Sequence, residues 1–190
     1  MDAFTHQIFQ LDLRALESIQ SVRWAPITPF FVLVSAWWVK GPILVALAAA
    51  RDIGQRRRLP LAAACGAVSL ALASLASGLL KELIDRSRPA VADDSIAPVV
   101  ATPDSPSFPS GHTTTAFAAA VAISIVQPRL RLPMLAIAGL VGISRAYLGV
   151  HFVIDVVAGA LLGAALGAGI GLGARALIRQ LQRRDAVAHV

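Results

Sequence analysis

Cysteine, charge and aromatic side chains are all scarce in this chain, and each shortage removes a class of protein. Cys65 is the single cysteine and lies within an apolar run, so no internal disulfide can form and the redox compartment stays unmarked. Charged residues make up 15% of the 190 positions, whereas an ordinary soluble domain carries roughly 25%. Aromatics reach only 6%, and the 17 Lys and Arg are split among short segments between apolar runs. A net charge of +6 distributed in this way fits membrane topology rather than a nucleic-acid groove, so no nucleic-acid partner is expected. The first 23 residues include Asp2, His6, Asp12 and Glu17 with no continuous apolar core, and no cleavable signal peptide is expected there.

What the chain has in abundance is apolar length. With 56% hydrophobic residues and a mean hydropathy of +0.69, residues 1–190 read as a single membrane-embedded domain. The expected fold is all-α, a polytopic transmembrane bundle of about five spanning helices plus an N-terminal amphipathic helix. The spans run from Pro26 to Ala50, Pro60 to Lys81, Thr113 to Val126, Leu132 to Leu148 and Phe152 to Ala174. Gly41-Pro42 interrupts the first span, and Lys40 just before it must face the protein interior, either assisting a site or pairing with a carboxylate or carbonyl. Over residues 1–23, Phe4, Ile8, Leu11, Ala15, Ile19 and Val22 recur every three or four positions and predict a helix in the membrane interface, with coverage of the bundle as the alternative.

Gly159, Gly163, Gly167 and Gly171 recur every four residues in the last span, flanked by alanines, and predict close helix–helix contact. The Gly167 to Gly173 run lacks the preceding strand that a nucleotide-binding loop requires. Arg51, Arg56, Arg57, Arg58, Arg129, Arg131, Arg175, Arg179, Arg183 and Arg184 collect on one face, with 175–190 as a basic tail, and assign that face to the cytoplasm. The opposite, extracytoplasmic face of a plasma or inner membrane then holds the region from Lys81 to His112 and the turn from Arg145 to His151.

Three clusters converge on that second face. Lys81 and Arg88 are seven apart, two turns along one side of a continuing helix that Pro89 should stop, although such residues, and Arg86 beside them, also occur as snorkelling side chains. Pro109-Ser110-Gly111-His112 ends a proline-rich loop and opens an apolar run. A helix start there offers unpaired N–H groups and a positive dipole end to an anion, with His112 placed to move a proton; alternatively Ser110 is a plain N-cap and His112 a bystander. His151 and Asp155 stand four apart, so the carboxylate can accept from one ring nitrogen and leave the other as a nucleophile. A lone pair of this kind is commonly structural. Joined to several cations and a second histidine on one face, it points to phosphate chemistry. The loop from Ala90 to Phe108 is long for a compact bundle and reads as a lid or substrate-contacting segment; its Asp93, Asp94 and Asp104 lack metal-ligand spacing.

Lys81-Glu82-Leu83-Ile84-Asp85-Arg86-Ser87-Arg88-Pro89, Pro109-Ser110-Gly111-His112 and Ser144-Arg145-Ala146-Tyr147-Leu148-Gly149-Val150-His151-Phe152-Val153-Ile154-Asp155 resemble the three signature motifs of the type 2 phosphatidic acid phosphatase superfamily, over roughly residues 60 to 175. The resemblance implies a membrane hydrolase that acts on a phosphate monoester or diphosphate of a bilayer lipid, polyprenyl diphosphate or phosphatidyl-type, through a phosphohistidine and with no metal or other cofactor. On the matching positions it implies that His151 attacks phosphorus, Asp155 orients it, and His112 serves as general acid and then base. Lys81, Arg88, Arg145, Ser110 and the Gly111 N–H would hold the phosphoryl oxygens, which suits a reaction accelerated chiefly by positioned positive charge. A lipid phosphotransferase using the same phosphohistidine and a non-catalytic lipid-phosphate binder or transporter are the alternatives. The histidine relay argues against the binder, and the membrane character argues against a soluble vanadate-holding haloperoxidase. Members commonly have six membrane helices; five here leave lipid entry and homo-oligomerisation open.

Overall fold

All regular structure among the described residues is helical. The computed structural model describes residues 3–55 and 60–188, with the backbone alone for 3–5 and 181–188. Arg56, Arg57 and Arg58 of the expected basic connector lie outside the described residues, as do the side chains of Arg183 and Arg184. In chain order the helices are α1 (Ala3–Ser21), α2 (Thr28–Val34), α3 (Pro42–Gly54), α4 (Leu61–Ile84), α5 (Pro89–Ala92), α6 (Gly111–Val126), α7 (Arg131–Tyr147) and α8 (Val153–Ala188).

Helix α6 is the centre of the bundle. Thr113, Thr114, Thr115, Ala116, Ala118, Ala119, Ala120, Ala122, Ile123 and Ser124 are all buried, which only small or stiff side chains permit when other helices crowd every side. Helix α8 lies directly on it. A Cβ at Gly163 would stand 2.2 Å from the Thr114 carbonyl oxygen, one at Gly167 2.3 Å from that of Ala118, and one at Gly159 2.8 Å from that of Ser110. The four-residue glycine period is therefore a groove cut for the α6 backbone, as its spacing predicts. Gly169 and Gly173, off that period, have open space around them. On α6's remaining faces, Ile123 shares a core with Leu44 of α3, Ala62 and Ala63 of α4, and Met134, Ala138 and Val141 of α7.

The chain is an integral membrane protein, but the expected count of five spans is not what the helix lengths give. Leu61–Ala92, Pro128–Tyr147 and Val153–Gln180 are the stretches long and apolar enough to cross a bilayer among the described residues. Val68, Leu72, Leu75 and Leu79 on α4, and Val157, Leu161 and Leu172 on α8, point outward as lipid-facing side chains do. The expected span from Pro26 to Ala50 is instead two helices, α2 and α3, parted by a turn before Pro42, which starts α3 at the first helical position. With its 16 residues α6 covers about 24 Å at 1.5 Å per residue, short of a hydrocarbon core of about 30 Å.

One further expectation is corrected. Lys81 and Arg88 do not share a continuing helix: α4 ends at Ile84, Asp85 takes a left-handed conformation (φ 46°), and Pro89 opens α5 rather than stopping α4. Helix α1 covers the bundle, with Leu13 and Leu16 in a core with Ile96, Ala146 and Phe152, while Leu11 remains 65% exposed. At the far end of α6, the fully buried Asp52 carboxylate accepts the Ala62 and Ala63 N–H groups at 3.0 and 3.3 Å and the Gln127 amide at 2.6 Å. One carboxylate thus caps α4 and binds it to the ends of α3 and α6.

The glycine groove predicts a position-specific stability pattern. Gly163→Ala and Gly167→Ala force α8 off α6 and cost about 1–3 kcal/mol each, whereas Gly169→Ala and Gly173→Ala leave Tm in detergent unchanged or raise it; thermal unfolding of the four variants checks this, and equal effects would refute the groove.

Candidate active site

Where α4, α6 and α7 end on the side opposite Asp52, a cavity of about 250 Å³ opens, lined by Lys40, Ser74, Ser77, Lys81, Arg88, Pro103, Ser105, Gly111, His112, Thr115, Arg145 and His151. Six of the eight residues singled out by the sequence line it: Lys81, Arg88, Gly111, His112, Arg145 and His151. Ser110 and Asp155 stand behind this wall, fully buried. Among the described residues no carboxylate lines the cavity.

Three of the four cations, Lys81, Arg88 and Arg145, are held by neutral oxygens. Arg88, in the extended stretch after α4, donates through Nε to the Ser105 carbonyl at 2.7 Å, through Nη1 to the Val150 carbonyl at 2.8 Å and through Nη2 to the Ser105 hydroxyl at 3.2 Å. Its Nη1 also lies 3.4 Å from His151 Nε2. Arg145, in the last turn of α7, donates to the Ser35 hydroxyl, and Lys81 donates to the Pro106 carbonyl. The proline-rich loop is thus part of the cavity wall. Ser107 straps it down, its N–H donating to the Arg86 carbonyl at 2.8 Å and its hydroxyl to the Ser87 carbonyl at 3.0 Å.

His151 sits in the turn between α7 and α8. Gly149 makes that turn at φ +76°, a conformation favouring glycine, and an added Cβ would meet Arg23 at 2.7 Å. Arg23 in turn donates to the carbonyls of Tyr147 and Ala97, both at 2.7 Å, so the end of α1 helps fix the turn. His151 Nδ1 lies 3.5 Å from Asp155 Oδ2, at the outer edge of hydrogen-bonding reach, and has no nearer partner. The i, i+4 spacing thus brings the two groups side by side without closing the expected hydrogen bond, and Nε2 faces Arg88. Burial pushes the His151 imidazole down to about 4, the Arg145 and Arg88 charges acting in the same direction and Asp155 opposing them. It is neutral at physiological pH, the state a nucleophile requires.

Asp155 is held by groups that the sequence did not connect. Its Oδ1 accepts from Arg86 Nη1 at 2.5 Å, its Oδ2 accepts the Phe152 N–H at 2.9 Å, and its main-chain carbonyl accepts the Ser110 N–H at 3.0 Å. Arg86 also donates from Nη2 to Asp12 Oδ2 of α1 at 2.8 Å and lies 4.2 Å above the Phe152 ring. Asp12 Oδ1 accepts the Ile154 N–H at 3.0 Å. Arg86, readable from sequence as a snorkelling residue, is instead the bridge between α1 and α8. Ser110 stands at the N-cap of α6 without capping it: its hydroxyl accepts from Thr113 Oγ1 at 2.9 Å. The unpaired N–H groups of the first turn are left facing the cavity side of Gly111 and His112. Lys40, whose role the sequence left open between assisting a site and a structural pairing, lines the cavity.

A membrane bundle that gathers two histidines, four cations and a helix N-terminus around one carboxylate-free cavity is built to receive a phosphate-like anion. Residues 62–179 match the PAP2 superfamily, and the chain belongs to it. It is 40% identical over 131 residues to decaprenylphosphoryl-5-phosphoribose phosphatase of Mycolicibacterium smegmatis, a match covering 66% of this chain and 63% of that protein. The chain thus spans less than two thirds of that relative's length. Among solved structures, the PAP2-type phosphatidylglycerolphosphate phosphatase of Bacillus subtilis superposes with a TM-score of 0.68 at 26% identity, covering 92% of this chain and 87% of that one. Aquifex aeolicus LpxE does so with a TM-score of 0.71 at 26% identity, covering 84% and 94%.

The Arg86 bridge gives a titration test. In Arg86→Gln the Asp155 carboxylate no longer shares its charge with a guanidinium and bears more strongly on His151, whose other charged neighbours, Arg88 and Arg145, are unchanged. The pH at which His151 takes up a proton then rises above its present value of about 4, as NMR of ring-labelled histidine would report; an unmoved titration would show that Arg86 does not act through Asp155.

Proposed function

We propose that the protein is a lipid phosphate phosphatase, hydrolysing a phosphate monoester or diphosphate on a membrane lipid through a phosphohistidine intermediate. The observation that carries this reading is the meeting of His112, His151, Lys81, Arg88 and Arg145 in one cavity. In this reading His151 attacks phosphorus with Nε2, and Asp155 holds the ring from the Nδ1 side. His112 donates a proton to the departing oxygen, then takes one from the water that cleaves the P–N bond. Arg88, Arg145, Lys81 and the Gly111 N–H hold the equatorial oxygens, where transition-state charge builds up. Ser110, whose hydroxyl accepts from Thr113, keeps its own O–H free to donate to them. Relatives named for a polyprenyl-linked phosphate and for phosphatidylglycerolphosphate make both tail classes candidates here.

In the same reading the cavity faces away from the cytoplasm of a plasma or inner membrane. Arg51, Arg129, Arg131, Arg175 and Arg179 cluster toward the opposite ends of the helices, which the positive-inside rule places in the cytoplasm together with the C-terminus. Helices α2 and α3 together make one crossing and α6 makes another within the bundle, giving five crossings in a single domain of residues 1–190.

Release of inorganic phosphate from polyprenyl and glycerol lipid phosphates, by purified protein in chelator, tests the reading. His151→Ala is expected to lose at least about 1,000-fold in kcat, and acid-labile phosphate should be trapped on the wild type alone. Full turnover by His151→Ala would defeat the mechanism, activity lost to chelator alone would overturn metal independence, and label passed to an acceptor instead of water would assign a phosphotransferase. The pH profile is a separate check. Because His151 must be neutral, kcat/KM falls on the acid side only as pH approaches about 4; an acid limb near 6.5, the ordinary imidazole value, would contradict the buried nucleophile.

A further inference from the structure

Lys40 is the cation in the cavity that the mechanism above leaves idle. It lies in the turn between α2 and α3, and its position is fixed from both sides. The neighbouring Val39 is buried, Ser35 in the same turn accepts from Arg145, and Gly41 is pressed so closely on Leu70 of α4 that a Cβ there would come within 1.9 Å of the leucine side chain. The break between α2 and α3 thus turns a lysine into the site. Whereas Lys81, Arg88 and Arg145 are engaged by Pro106, Ser105, Val150 and Ser35, the Lys40 ammonium makes no hydrogen bond or ion pair among the described residues.

Its location in the cavity is one-sided. The turn that carries Lys40 is tied to Arg145 through Ser35, whereas His151 Nε2 faces Arg88 at 3.4 Å, and His112 lines the same cavity. Lys40 therefore stands on the Arg145 side of the cavity, apart from the contact between Arg88 and the nucleophile. A lipid alcohol leaving group has no charge for an ammonium to meet until its bond breaks, while a phosphate leaving group brings one throughout. The space agrees: about 250 Å³ is on the order of eight water-sized volumes, where a phosphate monoester presents four oxygens and a diphosphate monoester seven.

We propose that Lys40 binds the second phosphate of a lipid diphosphate, the one that stays with the lipid. This rests on the phosphatase reading. His151 Nε2 forms a bond to the terminal phosphorus as the bond from that phosphorus to the bridging oxygen breaks. The electron pair stays on that oxygen, which leaves as part of the lipid monophosphate, beside Lys40. Water then attacks the phosphohistidine, inorganic phosphate departs, and His151 is regenerated.

The test compares a prenyl diphosphate with the matching prenyl monophosphate, using wild type, Lys40→Met and Lys40→Arg. Lys40→Met is expected to lose roughly 10- to 100-fold in kcat/KM on the diphosphate and less than about threefold on the monophosphate, with Lys40→Arg recovering most of the loss. An equal loss on both substrates, or none on either, overturns the proposal. Should wild type turn over neither lipid, the phosphatase reading fails by itself, and binding still decides about Lys40. Inorganic diphosphate must then protect wild type against thermal unfolding better than orthophosphate and lose that advantage in Lys40→Met. If Lys40→Met does not fold, wild type protected no better by diphosphate than by orthophosphate overturns the proposal.

Discussion

A carboxylate placed one turn into an apolar helix survives as an ion only if its lone pairs are filled, and the way Asp155 fills them organises the whole site. Arg86 and the Phe152 N–H occupy the carboxylate, His151 sits at its edge, and the Asp155 carbonyl takes the Ser110 N–H. Those contacts reach the end of α4, the turn between α7 and α8, and the start of α6. Through Arg86 they extend to Asp12 of α1. Moving Asp155 therefore displaces His151, the start of α6 and the Arg86 bridge together.

Holding the starts of α6 and α8 together at one bond is possible only because the helices lie backbone to backbone below it. Gly159 sits within 2.8 Å, at the Cβ position, of the same Ser110 whose N–H meets Asp155, and Gly163 and Gly167 continue the approach. The groove is thus the geometric condition for the site above. Asp52 closes the other end, tying α3, α4 and α6 where no chemistry takes place. Between these two buried carboxylates the central helix is fixed at both ends, which suits a reaction whose groups must hold their positions within tenths of an ångström.

Local patterns made part of this legible from sequence. The glycine period, the break at Gly41-Pro42, the His151–Asp155 spacing and the helix start after Pro109 each depend on residues within a few turns, and each is present in the fold. What periodicity could not reach were contacts between distant positions. Nothing in spacing joins Asp12, Arg86 and Asp155, so Asp12 reads as one polar residue on an amphipathic helix and Arg86 as a snorkelling side chain. A signal was available in hindsight: an acidic residue whose wheel neighbours Leu13 and Leu16 both go inward is itself near the core. The role of Lys40 was undecided for a related reason, because what an inward side chain in a turn meets depends on the turn. Span lengths were harder to read for another reason. Hydropathy assumes that an apolar segment faces lipid, but α6 is apolar because protein surrounds it, and it has no need of full bilayer length.

Gathering cations in a low-dielectric pocket is unfavourable unless something offsets their repulsion, and the usual solution is a carboxylate for each. This site uses another. Pro106, Ser105, Val150 and Ser35 offer carbonyl and hydroxyl oxygens that engage the cations while leaving their net charge intact. The carboxylates that are present, Asp155 and Asp12, face Arg86 and stand behind the wall. An anion entering the cavity thus meets positive charge already oriented and not already neutralised, so the protein's own reorganisation on binding is small. Negative charge is kept for orienting a histidine, positive charge is kept for the substrate, and Arg86 is what keeps the two apart.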